Sequence, residues 1–145
     1  MTRLVKAVVS LGFIGYFPFW PGTLASAVTA LAAWSCPWSL AAPVVIFSFI
    51  GFTLCKPAQK IFGVPDPGRF VLDEACGMTL SLLWLPKSVW IYCLAFIFFR
   101  IFDALKPWPI SCIQRSPNPM SIVWDDLAAG FFSNILLQIL SRFVI

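Results

Sequence analysis

The sequence predicts an all-α integral membrane protein: a compact bundle of about four to five short transmembrane or partly re-entrant helices. Three observations predict it. Of 145 residues, 60% are hydrophobic and 17% aromatic, and the mean hydropathy is +0.90. Charged residues make up 11%, where a soluble domain carries about a quarter. The apolar segments do not alternate apolar with polar residues, so they do not form the strands of a barrel. Helices remain, because lipid offers no partner to an unpaired backbone group. The length suits one domain, taken as residues 1–145.

Apolar segments run at roughly 24–40, 41–55, 70–86, 88–103 and 122–143, each bounded by proline, a charge cluster or both. Most fall short of the ~20 residues that cross hydrocarbon comfortably, so some are expected to tilt, re-enter or lie buried among the others. Upstream, Arg3 and Lys6 precede an apolar stretch, and Ala25-Ser26-Ala27 has the small residues of a signal-peptidase site. The bulky, proline-broken run Tyr16-Phe17-Pro18-Phe19-Trp20-Pro21-Gly22 does not suit a signal peptide, and the segment is expected to stay in the chain.

If all five segments cross, the loops alternate sides. One side receives Arg3, Lys6, Lys56, Lys60, Arg69, Arg100, Lys106 and Arg115; the other receives only Lys87 and Arg142. The positive-inside rule makes the first side cytoplasmic. The same alternation brings all six acids to that side, at or near one depth. Asp73 and Glu74 fall in the third segment, Asp103 closes the fourth, and Asp125-Asp126 opens the fifth. A carboxylate at membrane depth costs several kcal/mol unless paired, hydrated or bound to a cation, so acids gathered there imply a site. A hard metal ion is the expected occupant.

The net charge of +4 is modest and spread over loops, which excludes a nucleic-acid role and suits anionic lipid headgroups. Five cysteines without CxxC spacing, Cys36, Cys55, Cys76, Cys93 and Cys112, read as small apolar packing residues.

Four stretches carry the chemistry. Asp66-Pro67 reads as a helix start with proline at the first position; Asp73 and Gly77 then share a face, and the glycine permits close approach of a helix or ligand. Neighbours on a helix point about 100° apart, so Asp73 and Glu74 are not expected both to grip one ion directly. Arg100, Asp103 and Lys106 recur every third residue until Pro107. The strip reads either as an interfacial salt-bridge ladder or as Asp103 on a metal with Arg100 and Lys106 on phosphate oxygens. Trp108 between prolines fits an interfacial anchor. Asp125-Asp126 entering an apolar helix suits Mg²⁺, since a capping role explains only one of them. Gly22 and Thr23, after Trp20-Pro21, offer backbone N–H groups and a hydroxyl as an anion cradle.

Taken together, these motifs resemble one family. They are Pro21-Gly22-Thr23 with Ser26, Asp66-Pro67 before Val71-Leu72-Asp73-Glu74 with Gly77, Arg100-x-Phe102-Asp103-x-x-Lys106-Pro107-Trp108-Pro109-Ile110, and Asp125-Asp126 with Ala129-Gly130. The pattern is similar to phosphatidylglycerophosphatase A from about Gly12 to Gln138. Where that family usually has a glycine-rich turn, this chain has Ser116-Pro117-Asn118-Pro119-Met120-Ser121. The resemblance implies Mg²⁺-dependent removal of the terminal phosphate of phosphatidylglycerophosphate at the cytoplasmic face of the bacterial inner membrane, with phosphatidylglycerol and phosphate as products.

Inspection excludes other phosphatase designs. The chain has no histidine for a phosphohistidine. It has no cysteine followed six residues later by arginine, and no Asp-x-Asp. Carboxylates, bases and a metal remain: Asp73 or Glu74, Asp103, and Asp125 or Asp126 on Mg²⁺, with Arg100 and Lys106 balancing the phosphate charge. The principal rival is a small membrane cation transporter using the same edge carboxylates. An enzyme joining two lipid building blocks lacks its Asp-x-x-Asp-Gly-x-x-Ala-Arg run here.

Overall fold

The computed structural model describes residues 2–36 and 39–144. These form seven α-helices and no strand: α1 (Thr2–Val9), α2 (Pro21–Ser35), α3 (Ala41–Phe62), α4 (Leu72–Ser81), α5 (Val89–Leu105), α6 (Ile110–Gln114) and α7 (Ser121–Val144), with one 3₁₀ turn at Ile14–Tyr16. Each of the five expected segments contains a helix. The short α1 and α6 come in addition. The turn expected at 36–40 falls partly on Pro37 and Trp38, outside the described residues.

Two expected boundaries move for local reasons. The second segment does not stop before Pro57: α3 runs through it to Phe62 and ends on Gly63, whose left-handed backbone (φ 74°) lets its N–H bond back to the Gln59 carbonyl. A proline inside a helix removes one backbone bond, and α3 continues around that loss. Asp66-Pro67 does not start a helix; it lies in the turn after α3, and α4 begins at Leu72. Asp73 and Glu74 therefore occupy the first turn of α4 rather than its second.

The short helix α4 is the centre of the bundle. Eight of its ten residues are buried, packed by α2, α3 and α7. Ten residues rise only about 15 Å, so this third segment is the buried, non-spanning kind. Carbonyls at its end and just beyond it accept from α7: Asn134 Nδ2 donates to Ser81 O (3.1 Å) and Leu83 O (2.8 Å), and Gln138 Nε2 to Leu83 O (3.3 Å). One apolar cluster, built on Met78, Leu82, Tyr92, Phe99 and Leu137, joins α4, α5 and α7. Another, with Val9, Cys55, Phe70, Leu72 and Val123, joins α1, α3 and α7 around the start of α4. Cys55 and Cys76 pack as the expected small core residues, whereas Cys93 and Cys112 are exposed.

Large apolar side chains also cover much of the outside of the bundle. Leu31 on α2, Val45, Ile46 and Phe49 on α3, Trp90 and Ile97 on α5, and Phe131 and Ile139 on α7 are all exposed. Two helices, α3 and α7, are long and apolar enough to cross a membrane.

Candidate active site

The site is set by a helix crossing. A Cβ added at Gly130 would collide with the backbone of Gly77, and one added at Gly77 would strike the Asp126 carbonyl and the Phe99 ring. Glycine at both positions lets α4 and α7 touch backbone to backbone. Asp73 stands four residues before Gly77, and Asp126 four before Gly130. One helical turn above the crossing, the two carboxylates therefore face each other. Glu74 is aimed elsewhere around α4, and its carboxylate packs against Gly22 at the start of α2, where a Cβ would overlap it.

Oxygens of Asp73, Glu74 and Asp126 lie within 4.8 Å of one another. Asp73 and Asp126 are only 7% and 4% exposed. Glu74 Oε2 is buried without a hydrogen-bond partner. The expected division of Asp73 from Glu74 is not seen, since each presents an oxygen to the same point. Three clustered carboxylates without a cation are electrostatically costly at low dielectric. An all-oxygen donor set with an unsatisfied buried oxygen fits a hard divalent cation, so these three residues could hold a metal ion.

Asp103 and Asp125 are differently engaged. Arg100 Nη1 donates to Asp103 Oδ2 at 2.7 Å, and Lys106 Nζ lies 3.8 Å from Asp103 Oδ1. The Lys106 ammonium also donates to Asp125 Oδ2. Lys106 closes α5 with a left-handed backbone (φ 42°), and its N–H bonds to the Phe102 carbonyl. Burial alone would lower its pKa, but the Asp125 hydrogen bond and the charges of Asp125, Asp126 and Asp103 hold it above the ordinary lysine value.

A cavity of about 590 Å³ opens on this cluster, and all six acids of the chain line it: Asp66, Asp73, Glu74, Asp103, Asp125 and Asp126. The convergence expected from alternating segments is present in the fold, because the C-terminal ends of α3 and α5 and the N-terminal ends of α4 and α7 meet there. Lys106 lines the cavity, while Arg100, Gly22 and Thr23 do not. Arg100 reaches it only through Asp103, and Gly22 only through Glu74. Sequence reasoning did not single out Gln59 and Arg115, which also line the cavity. Arg115 had entered only as one of the loop charges.

Comparison with known proteins agrees with this chemistry. The model of the family Phosphatidylglycerophosphatase A matches residues 7–141. The chain is 38% identical over 143 residues to phosphatidylglycerophosphatase A of Escherichia coli (strain K12), covering 93% of this chain and 83% of that protein. It is 34% identical over 155 residues to a Bacteroides thetaiotaomicron protein provisionally named phosphatidylinositol-3-phosphatase, covering 97% and 96%. It is 36% identical over 90 residues to phosphatidylglycerophosphatase A of Haemophilus influenzae, covering 61% and 55%. No solved structure matches the chain.

Proposed function

The chain belongs to the phosphatidylglycerophosphatase A family and is a phosphoric monoester hydrolase; from that premise we propose that it removes the terminal phosphate of phosphatidylglycerophosphate, with Mg²⁺ held by Asp73, Glu74 and Asp126. The observation that carries this reading is the buried triad, with its unpartnered Glu74 Oε2, at the wall of the acid-lined cavity. Family membership leaves the transporter reading without support.

When bound, a divalent ion supplies positive charge to the phosphoryl oxygens and polarises the attacking water. The chain's own residues do the positioning. Asp73 and Asp126 come from helices locked by the Gly77–Gly130 contact, and Glu74 is buttressed by Gly22. Lys106, fixed between Asp103 and Asp125, stays an ammonium and donates to a phosphate oxygen. Arg100 holds Asp103 and thereby Lys106. In the reaction, water oxygen bonds to phosphorus, the ester P–O bond breaks, and the glycerol oxygen leaves with a proton. Phosphomonoesters react extremely slowly unaided, so this alignment and charge balance carry the barrier reduction.

The apolar exterior, the exposed rims at Trp20 and Trp108, both 80% exposed, and the helices α3 and α7 support a bilayer-embedded enzyme with aromatic anchors at headgroup depth. The excess of basic residues at the site end supports a cytoplasmic orientation in the bacterial inner membrane. Mg²⁺-dependent phosphate release from phosphatidylglycerophosphate in mixed micelles, compared with phosphatidylinositol 3-phosphate and lysophosphatidic acid, tests the reading. Equal or greater release from the other lipids would displace the substrate assignment. Release indifferent to chelator would displace the metal.

A further inference from the structure

We propose that Arg115 binds the phosphodiester phosphate of the lipid headgroup and so selects substrates that carry a second phosphate between the scissile monoester and the diacylglycerol. The inference deepens the reading above and rests on it. The cavity is lined by six carboxylates and only two bases, Lys106 and Arg115. Lys106 is taken up by Asp103 and Asp125, whereas Arg115 makes no ion pair among the described residues. With Lys106 assigned to the monoester, it is the cavity cation left for a second phosphate.

Its setting is a built one. Arg115 caps α6, its N–H bonded to the Ser111 carbonyl (3.3 Å). The loop that follows also lines the cavity. Pro117 and Pro119 stiffen that loop. Asn118 Oδ1 accepts from Met120 N (3.0 Å), and Ser121 N donates to the Asn118 carbonyl (2.9 Å). Gln59 Nε2, from the end of α3, donates to the Pro119 carbonyl at 3.5 Å. Arg115 is itself exposed, so its side chain is open to a ligand, and the loop that follows it is held by these bonds.

The charge arithmetic of the ligand then points to it. Phosphatidylglycerophosphate and phosphatidylinositol 3-phosphate, the lipids in the relatives' names, share one chemistry: an anionic diester next to the diacylglycerol and a monoester farther out. With the monoester at the triad, the diester must enter a cavity whose fixed charge is strongly negative. An unpaired like charge held close in such a cavity is strongly unfavourable. A second cation away from the metal relieves that, and arginine's planar fork matches two phosphate oxygens.

The test is a selectivity measurement. Phosphatidylglycerophosphate and phosphatidic acid, which lacks the diester, are assayed in identical micelles with wild type, Arg115→Gln and Arg115→Lys. Arg142→Gln, at the far end of α7, serves as the charge-loss control. Loss of a charged hydrogen bond predicts that Arg115→Gln raises KM for phosphatidylglycerophosphate about tenfold with little change in kcat. The kcat/KM ratio between the lipids falls to match, and Arg115→Lys recovers part of it. An unmoved ratio, or an equal loss on both lipids, overturns the inference while wild-type turnover leaves the proposed function standing. A wild type that releases phosphate from neither lipid overturns both.

Discussion

Gly77 and Gly130 touch backbone to backbone where α4 crosses α7, and each follows an acid of the triad by four residues. The same contact therefore sets both the packing of the central helix and the separation of Asp73 from Asp126. Gly130→Ala would drive a methyl group into the Gly77 carbonyl, which is backbone and cannot swing away. Overpacking of this kind costs about 1–3 kcal/mol. The expected result is a Tm several degrees lower together with a loss of phosphatase activity larger than the unfolded fraction explains. Thermal unfolding and phosphate release in the same detergent check it. Wild-type values for both would show that the close crossing is dispensable.

The triad and the ion-paired acids should separate in stability as well as activity. Asp126 faces two other carboxylates, so Asp126→Asn relieves repulsion; in metal-free buffer its Tm should rise while turnover falls at least about a hundredfold, the scale seen when a charge-stabilising group is removed. Asp125→Asn should do the reverse for stability, because it strips Lys106 of its hydrogen-bond acceptor. A lower Tm for Asp126→Asn than for Asp125→Asn would contradict the assignment of the one to a metal and the other to a positioning pair.

What the sequence revealed and what it hid follow from the range of the forces involved. Alternation of apolar segments and the one-sided basic residues are one-dimensional signals, and they brought all six acids to one end without any knowledge of packing. The helix period, by contrast, separates Asp73 from Glu74 by about 100°. It cannot show that Gly22, fifty residues earlier in another helix, lets the longer Glu74 side chain bend back to the same point. Asp66-Pro67 carries a genuine start signal, but the chain uses it for a turn. The helix begins only at Leu72, where burial against α3 and α7 becomes available. Arg115 sits in a loop with no periodicity to mark it, so only the folded cavity sets it apart from the other surface bases.

Metal binding should appear as stability. A ligand that binds only the folded state contributes RT ln(1 + [L]/Kd), about 2.7 kcal/mol at a hundredfold excess over Kd. Mg²⁺ should therefore raise the wild-type Tm in a saturable way that EDTA reverses. Glu74→Gln should abolish most of the shift, because it removes the charge of a carboxylate whose buried Oε2 has no hydrogen-bond partner among the described residues. Equal Mg²⁺ shifts in both proteins would place the ion elsewhere.

Lys106 gives a pH prediction whose sign is fixed by its surroundings. Its folded pKa stands above the ordinary value because Asp125, Asp126 and Asp103 outweigh the effect of burial. A raised folded pKa means stability fully present below the unfolded value of about 10.4 and lost as pH rises through the folded one. Wild type should accordingly lose stability more steeply than Lys106→Met above about pH 10, and in parallel with it between pH 7 and 9. Across that lower range Lys106 remains an ammonium, so no limb of the wild-type activity profile there belongs to it. Lys106→Met should raise KM for the lipid while leaving the Mg²⁺ concentration for half-maximal stabilisation unchanged. A shifted Mg²⁺ midpoint with an unchanged KM would make the lysine part of the metal's surroundings rather than a phosphate ligand.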